Sequence, residues 1–457
     1  MNYIVPFCLQ KKISIAILYH MKRLIYSELL EWKASPRRKP LILYGARQVG
    51  KTWVLKEFGN SDFKDTIYVD FDKDREVHKY FADNISPAYI IAGLETHFGR
   101  KIDPQETLLI FDEIQECQRA KDSLKYFNED APQYHITSAG SFLGIAHGKF
   151  PVGQVDEITM RPLSFYEFLE ATGKSILLDN IKSFNKQSMQ AISVTAEQKL
   201  KEYMYIGGMP EAVNAYNISG NLHDTRKAQE NILNNYKNDF TKHIKGTDIP
   251  KVRMLWESIP FHLSKEKKKF IYREIKTGAR AAAYENALDW LVNTGLVYKI
   301  NRTNDAKLPL AAYADRDAFK IYMLDTGLLS AATGLDMKTF YEPDPVVFKE
   351  FKGAITEQFV LQELKTLSRL PICYWGRDEG KSEVDFVIQW ENEIIPIEVK
   401  SGIHKRSKSL EIYRDIYNPA RSIRTTMNNY GIANGLYSIP LFMIASFQDM
   451  LNATTRR

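Results

Sequence analysis

The pattern of apolar and polar positions divides this chain into a series of elements. Leu41-Ile42-Leu43-Tyr44 is a short apolar run between polar stretches, which predicts a buried strand. After a loop, Trp53, Val54, Leu55 and Phe58 recur at helical spacing. Thr107–Phe111 predicts a second buried strand, and Tyr134–Ser141 a third that ends in polar residues. Residues 196–245 read as helices, with Gly207-Gly208-Met209-Pro210-Glu211 at a break between them. Further on, Arg253–Leu263 predicts a helix and Phe270–Ile275 a short segment. Ala281–Thr294 predicts another helix, with Tyr284, Leu288, Leu291 and Val292 on one face; Gly295 ends it and a strand starts at Leu296. Gly353–Leu367 is amphipathic, with a stripe of Ile355, Phe359, Leu364 and Leu367. Glu383–Gln389 and Glu393–Lys400 predict two strands joined by a turn near Asn392. Strands and helices alternate along the chain, so the fold class is α/β.

Composition narrows the class. The chain has 457 residues, 44% hydrophobic and 26% charged. That is globular usage at a length suited to about two to four domains, and it excludes collagen-like and disordered chains. No run of about 18 uncharged apolar residues occurs, so no membrane partner is expected. Cys8, Cys117 and Cys373 lie far apart, with no metal or disulfide spacing, which points to a reducing, cytoplasmic setting. Residues 1–20 differ from the rest of the chain. Lys11 and Lys12 interrupt their apolar stretch and no small-residue cleavage site comes after it, so they read as a non-native or disordered extension ahead of a start at Met21.

Charge is uneven. The net charge is +6, and residues 265–280 carry seven Lys/Arg against two Glu. Residues 401–430 carry six basic against two acidic residues. Basic charge is thus concentrated in the C-terminal half, as expected of a half that meets DNA, although each run alone also suits a solvated face.

The first site lies between the first strand and its helix. Gly45-Ala46-Arg47-Gln48-Val49-Gly50-Lys51-Thr52 matches the phosphate-binding G-x-x-x-x-G-K-[ST] loop in full, and Trp53 continues into the helix. Glycines let backbone N–H groups close around phosphates, and the helix N-terminus adds positive potential. Lys51 is expected to reach the β and γ phosphates of ATP, and the Thr52 hydroxyl to ligate Mg²⁺. Asp112 and Glu113 end the second buried strand. Asp112 suits the Mg²⁺ side of the site and Glu113 the activation of water.

GARQVGKT, LLIFDEIQEC, HITSAGSFLG, EITMRPLSFYEFL and YIGGMPEAV, in this order, resemble a prokaryotic AAA-type ATPase family joined to a C-terminal domain of unknown function. The resemblance spans about residues 21–457. It implies a P-loop parallel-sheet core at 21–195 and a helical lid at 196–250. In such ATPases a polar residue at the end of the third strand meets the γ-phosphate or the water; Ser141 is the first choice and Ser138 the reserve. Relatives carry Gly-Arg where this chain reads Gly153-Gln154, which leaves Arg161 and Arg119 as candidates for an arginine acting within a homo-oligomer.

Residues 251–345 are expected to form a winged helix, a module that binds DNA or docks protein. Arg280, Asn286 and the Lys265–Lys269 cluster would flank its recognition helix. Residues 346–457 carry Asp385 on one strand, then Glu398 and Lys400 at i and i+2, on one face of the next. This D…E-x-K arrangement resembles restriction-type nucleases. Asp385 and Glu398, completed by Glu357 from the preceding helix, are expected to hold metal, and Lys400 to orient water. Three functions fit this organisation: an ATPase whose nucleotide state controls a DNA-binding, nuclease-like half, an ATP switch whose inactive nuclease-like domain docks DNA or protein, or a remodelling or signalling ATPase that meets no nucleic acid.

Overall fold

The computed structural model describes residues 23–140, 153–183, 186–244, 246–265, 268–341, 349–367, 370–377, 382–400, 402, 407–426 and 430–455. Ser141, Lys405 and Arg406 and the N-terminal extension lie outside them. The chain forms two compact units. One takes Lys22–Arg161 with Asn293–Gly295, the other Pro162–Val292 with Leu296–Arg457. The sequence expectation carried the first core to residue 195. The compact unit closes at Arg161, because the Leu163–Phe165 segment bonds into the second unit.

The first unit is a parallel sheet of β1 (Leu41–Tyr44), β2 (Asp65–Asp70), β3 (Thr107–Asp112), β4 (His135–Ala139) and β5 (Asp156–Thr159), in the order β2-β3-β4-β1-β5. The central strands β1 and β3 are near-continuous apolar runs, as strands covered on both faces must be, and β3 is buried at every residue. Ile42, Ile67, Val69, Leu109, Phe111 and Ile136 from the strands meet Ile90, Leu94, Leu124 and Phe127 from flanking helices in one core cluster. A parallel sheet gathers its strand C-termini along one edge, so the P-loop after β1, Asp112 at the end of β3 and the polar end of β4 share that edge.

The second unit opens with a capping box. Ser164 Oγ accepts the Glu167 N–H at 3.2 Å, and the Glu167 carboxylate accepts the Ser164 N–H at 2.7 Å, starting the Phe165–Ala171 helix. The Gly207-Gly208 break packs directly on this segment. Leu163 N donates to Gly208 O at 2.7 Å, and a Cβ on Gly208 would meet Leu163 O at 2.0 Å. Asp325 accepts the Gly208 N–H at 2.6 Å and caps the Thr326–Ala332 helix through Leu328 N. Packing is the role these motifs serve.

The unit's sheet has eight strands: β6 (Val297–Thr303), β7 (Ala314–Met323), β8 (Ile372–Gly376), β9 (Glu383–Trp390), β10 (Glu393–Glu398), β11 (Ser422–Thr426), β12 (Gly431–Ala433) and β13 (Leu436–Pro440). Their order is β12-β13-β11-β10-β9-β8-β6-β7. The helices expected around a winged helix form at Ile249–Leu263 and Ala281–Asn293. Their hairpin, β6–β7, does not stand alone. β6 pairs with β8 through Arg302↔Tyr374 and Thr303↔Trp375, so one sheet runs across the expected boundary at 345/346. The Lys349–Leu367 helix also differs from its expected stripe. Residues 354–364 are all buried, polar ones included, because neighbouring elements enclose the helix on every side.

Candidate functional site

The phosphate loop is shaped by backbone that other residues resist. Gly45 has φ 148°, and a Cβ there would lie 2.3 Å from Met160 O. Gln48 and Gly50 adopt positive φ at 66° and 98°, so the loop coils before the Lys51–Asp62 helix starts. Arg23 braces it from outside by donating to Val49 O at 3.1 Å and to Arg161 O at 2.6 Å.

Lys51 is buried and folds back over its own loop, with Nζ donating to Gly45 O at 2.8 Å and Ala46 O at 2.7 Å. Burial pulls its pKa down to about 8, opposed by Glu113 and Asp112 and helped by Arg47. The Thr52 hydroxyl donates to Asp112 Oδ2 at 2.7 Å, joining the helix start to the end of β3. The structure thus brings Gly45, Ala46, Arg47, Gln48, Val49, Gly50, Lys51, Thr52, Asp112 and Glu113 to one edge. Trp53 is the next residue of the helix and is half-buried. Glu113 comes directly after β3 with φ 49° and accepts the side-chain amide of Gln115.

Two residues here gave no sequence signal. Tyr68 on β2 donates to the same Asp112 oxygen at 2.8 Å, with Lys56 Nζ 3.5 Å from its ring centre. Asp70 stands beside Asp112 in the β2–β3 register and accepts from Lys73 at 2.8 Å. Ser138 is fully buried on β4, in register with Ile42 of β1 and Phe111 of β3, and its hydroxyl has no partner among the described residues. Arg119 donates to Phe81 O at 3.3 Å, and Gln154 to Glu129 at 3.1 Å.

The C-terminal candidates also converge, but each already has a protein partner. Glu357, on the Lys349–Leu367 helix, is ion-paired with Lys268 and accepts from Tyr322 at 3.3 Å. Asp385 accepts the Val399 N–H at 2.7 Å. Lys400, just past β10, pairs with Glu398 at 2.7 Å. Lys320 of β7 pairs with Glu383, two residues before Asp385 and on the same strand face. Burial, together with Glu357 and Glu398, raises Asp385 well above the usual carboxylate range. Burial works to raise Glu357 too, but Lys268 and Lys320 hold it low. Among the described residues no group of three His, Cys, Asp or Glu side chains is arranged to hold a metal ion. The expected trio of Glu357, Asp385 and Glu398 therefore meets electrostatically without forming a metal cage.

The basic runs are partly spent inside the fold. Lys265 pairs with Glu274, Arg421 with Glu393 at 2.8 Å, and Arg424 donates to Ser438 at 2.8 Å. Lys269, Arg273, Lys276, Arg280 and Asn286 are exposed. No helix among the described residues is long and apolar enough to cross a membrane.

Residues 37–169 match the family model of an AAA domain, so this part of the chain is of the AAA-type P-loop class. Residues 197–339 match a domain of unknown function, DUF8612, and 352–444 another, DUF4143. The first of these models covers the expected lid and winged helix together. A curated relative, the uncharacterized protein MJ1544 of Methanocaldococcus jannaschii, is 24% identical over 399 residues, spanning 84% of this chain and 79% of its own. Among solved structures, the Walker-type ATPase PABY2304 of Pyrococcus abyssi is similar at a TM-score of 0.41 with 14% identity, covering 68% of this chain and 96% of that one. Protein VC1899 of Vibrio cholerae gives a TM-score of 0.19 with 10% identity over 91% of this chain and 98% of its own.

Proposed function

We propose that the P-loop unit binds ATP with Mg²⁺ and hydrolyses it, and that its nucleotide state sets how the remainder of the chain engages DNA. The observation that carries the ATP reading is the 2.7 Å contact between the Thr52 hydroxyl and the Asp112 carboxylate, which pairs two hard oxygen donors beside the phosphate loop. These donors suit Mg²⁺, which, when bound, supplies charge neutralisation at the β and γ phosphates. The chain's own residues do the rest. The loop N–H groups wrap the phosphates. Lys51 exchanges the carbonyls of Gly45 and Ala46 for phosphate oxygens. The Glu113 carboxylate accepts a proton from the attacking water, held in place by Gln115. The unpartnered Ser138 hydroxyl supports a polar role at the end of β4, where Ser141 was also expected.

The exposed Lys269, Arg273, Lys276 and Arg280 support contact with a phosphate backbone. A second reading concerns the D…E-x-K segment: it docks and does not cut. The pairing of Glu357, Glu383 and Glu398 with lysines favours it over the nuclease reading. The test is anisotropy of labelled duplex DNA with Glu113→Gln protein, holding ATP or ADP, across a salt series. The expected result is an affinity that differs between nucleotides. A log–log salt slope of about −3 to −4 is expected for four neutralised phosphates. Binding that ignores both nucleotide and salt would remove DNA from the proposal.

A further inference from the structure

The D…E-x-K residues meet charges that the motif does not predict. Lys268 lies between the Ile249–Leu263 helix and the Tyr272–Glu274 turn, and Lys320 is on β7. Neither comes from the elements that carry the acids. Both are buried: Lys268 ends on Glu357 of the centre, and Lys320 ends on Glu383, which flanks Asp385 on the same strand face. Lys400 completes the set on Glu398. Lys320 Nζ also lies 4.7 Å from the ring centre of Tyr374, a cation–π contact on its ammonium.

We infer that this centre carries its own cations: Lys268, Lys320 and Lys400 each neutralise one acid, and the arrangement takes no divalent metal. The inference rests on the docking reading above. A divalent ion needs several oxygens free to converge on it. Here the acids are committed one to one. The fourth, Asp385, accepts the Val399 N–H. Glu398 Oε2 and Asp385 Oδ1 are the oxygens of the trio left without a protein partner among the described residues, and two oxygens from two side chains fall short of a convergent set of three. Entry of a metal would displace a buried ammonium and leave it unpaired in a low-dielectric interior, which is strongly unfavourable. An ammonium fixed by protein carries out the electrostatic task of the ion without its chemistry: it cannot activate water.

The test is Mn²⁺ titration followed by electron paramagnetic resonance, on the full chain carrying Lys51→Ala and Asp112→Asn to silence the P-loop site. No bound Mn²⁺ is expected. Adding Lys268→Met or Lys320→Met, which keep the packing of the stem, is expected to create one Mn²⁺ site that Glu398→Gln removes again. Circular dichroism checks that each variant is folded. Mn²⁺ bound with all three lysines in place, and lost in Glu398→Gln, would overturn the inference. So would folded Lys268→Met and Lys320→Met proteins that both gain none. DNA binding is measured separately on the chain with an intact P-loop, with ATP and with ADP: its absence in both states refutes the docking reading and leaves the metal result standing. Plasmid nicking by the otherwise native protein with Mn²⁺, abolished by Lys400→Ala, would refute both.

Discussion

Glu363 shows how much the interior of the second unit depends on a single proton. It is fully buried on the Lys349–Leu367 helix and accepts the Phe165 N–H at 2.8 Å, while its other oxygen has no partner among the described residues. Burial, with Glu167 nearby, raises its pKa to about 8 from the ordinary 4.5. The folded chain therefore keeps a proton that the unfolded chain releases. Stability is fully retained below the unfolded pKa and is lost as pH rises toward the folded one, at up to about 1.4 kcal/mol per pH unit. Asp325, raised to about 6 by burial, adds the same sign over a lower window. Glu363→Gln is expected to flatten the fall in urea-unfolding stability between about pH 5 and pH 8. An unchanged slope would show that Glu363 is ionised in the fold. At Gly208, where a Cβ would strike Leu163 O, Gly208→Ala is expected to cost about 1–3 kcal/mol or more, read as a lower unfolding midpoint.

At the scale of elements, the first unit was far more legible than the second. The β1 strand, its loop and its helix are local in sequence, so the spacing from Gly45 to Thr52 places them. Asp112 is legible because an apolar run ends on it. Tyr68 was not, because a tyrosine in a strand usually marks packing, and only the β2–β3 register brings it to Asp112. Ser141 lies beyond the described residues; of the two buried β4 hydroxyls, Thr137 donates to Leu109 O at 3.4 Å and Ser138 has no partner among the described residues. In the second unit, the Glu383–Gln389 and Glu393–Lys400 strands form almost as expected, though β10 stops at Glu398. Their partners were hidden. Lys268 and Lys320 lie well before them in the chain, and only the folded sheet brings them in. One signal was available: Lys320 interrupts the apolar run Ala318–Met323, and a charge inside a buried strand calls for a partner. Likewise, the Gln358, Gln362 and Glu363 side chains fall outside the apolar stripe of their helix, and nothing local tells that the helix is enclosed all round.

At the scale of the molecule, the chain separates a phosphate-binding unit from a larger unit in which β6 and β7 continue into the C-terminal sheet. Basic runs that look like one DNA-facing surface in the sequence divide, once folded, into internal ion pairs and an exposed group at Lys269, Arg273, Lys276 and Arg280. The proposed nucleotide-controlled docking would use this exposed group, and the proposal depends on the P-loop unit working as a Mg²⁺-dependent ATPase. Steady-state ATP turnover by the full chain, with Mg²⁺ or with chelator, alongside Glu113→Gln and Lys51→Ala, tests that claim most directly. Turnover that chelator abolishes is the expected result. Glu113→Gln should still bind ATP while its kcat falls by about 10²–10⁴-fold, the contribution typical of a general base, and Lys51→Ala should lose turnover. A native chain that neither binds nor hydrolyses ATP, or a Lys51→Ala protein that turns it over at the native rate, would contradict the claim.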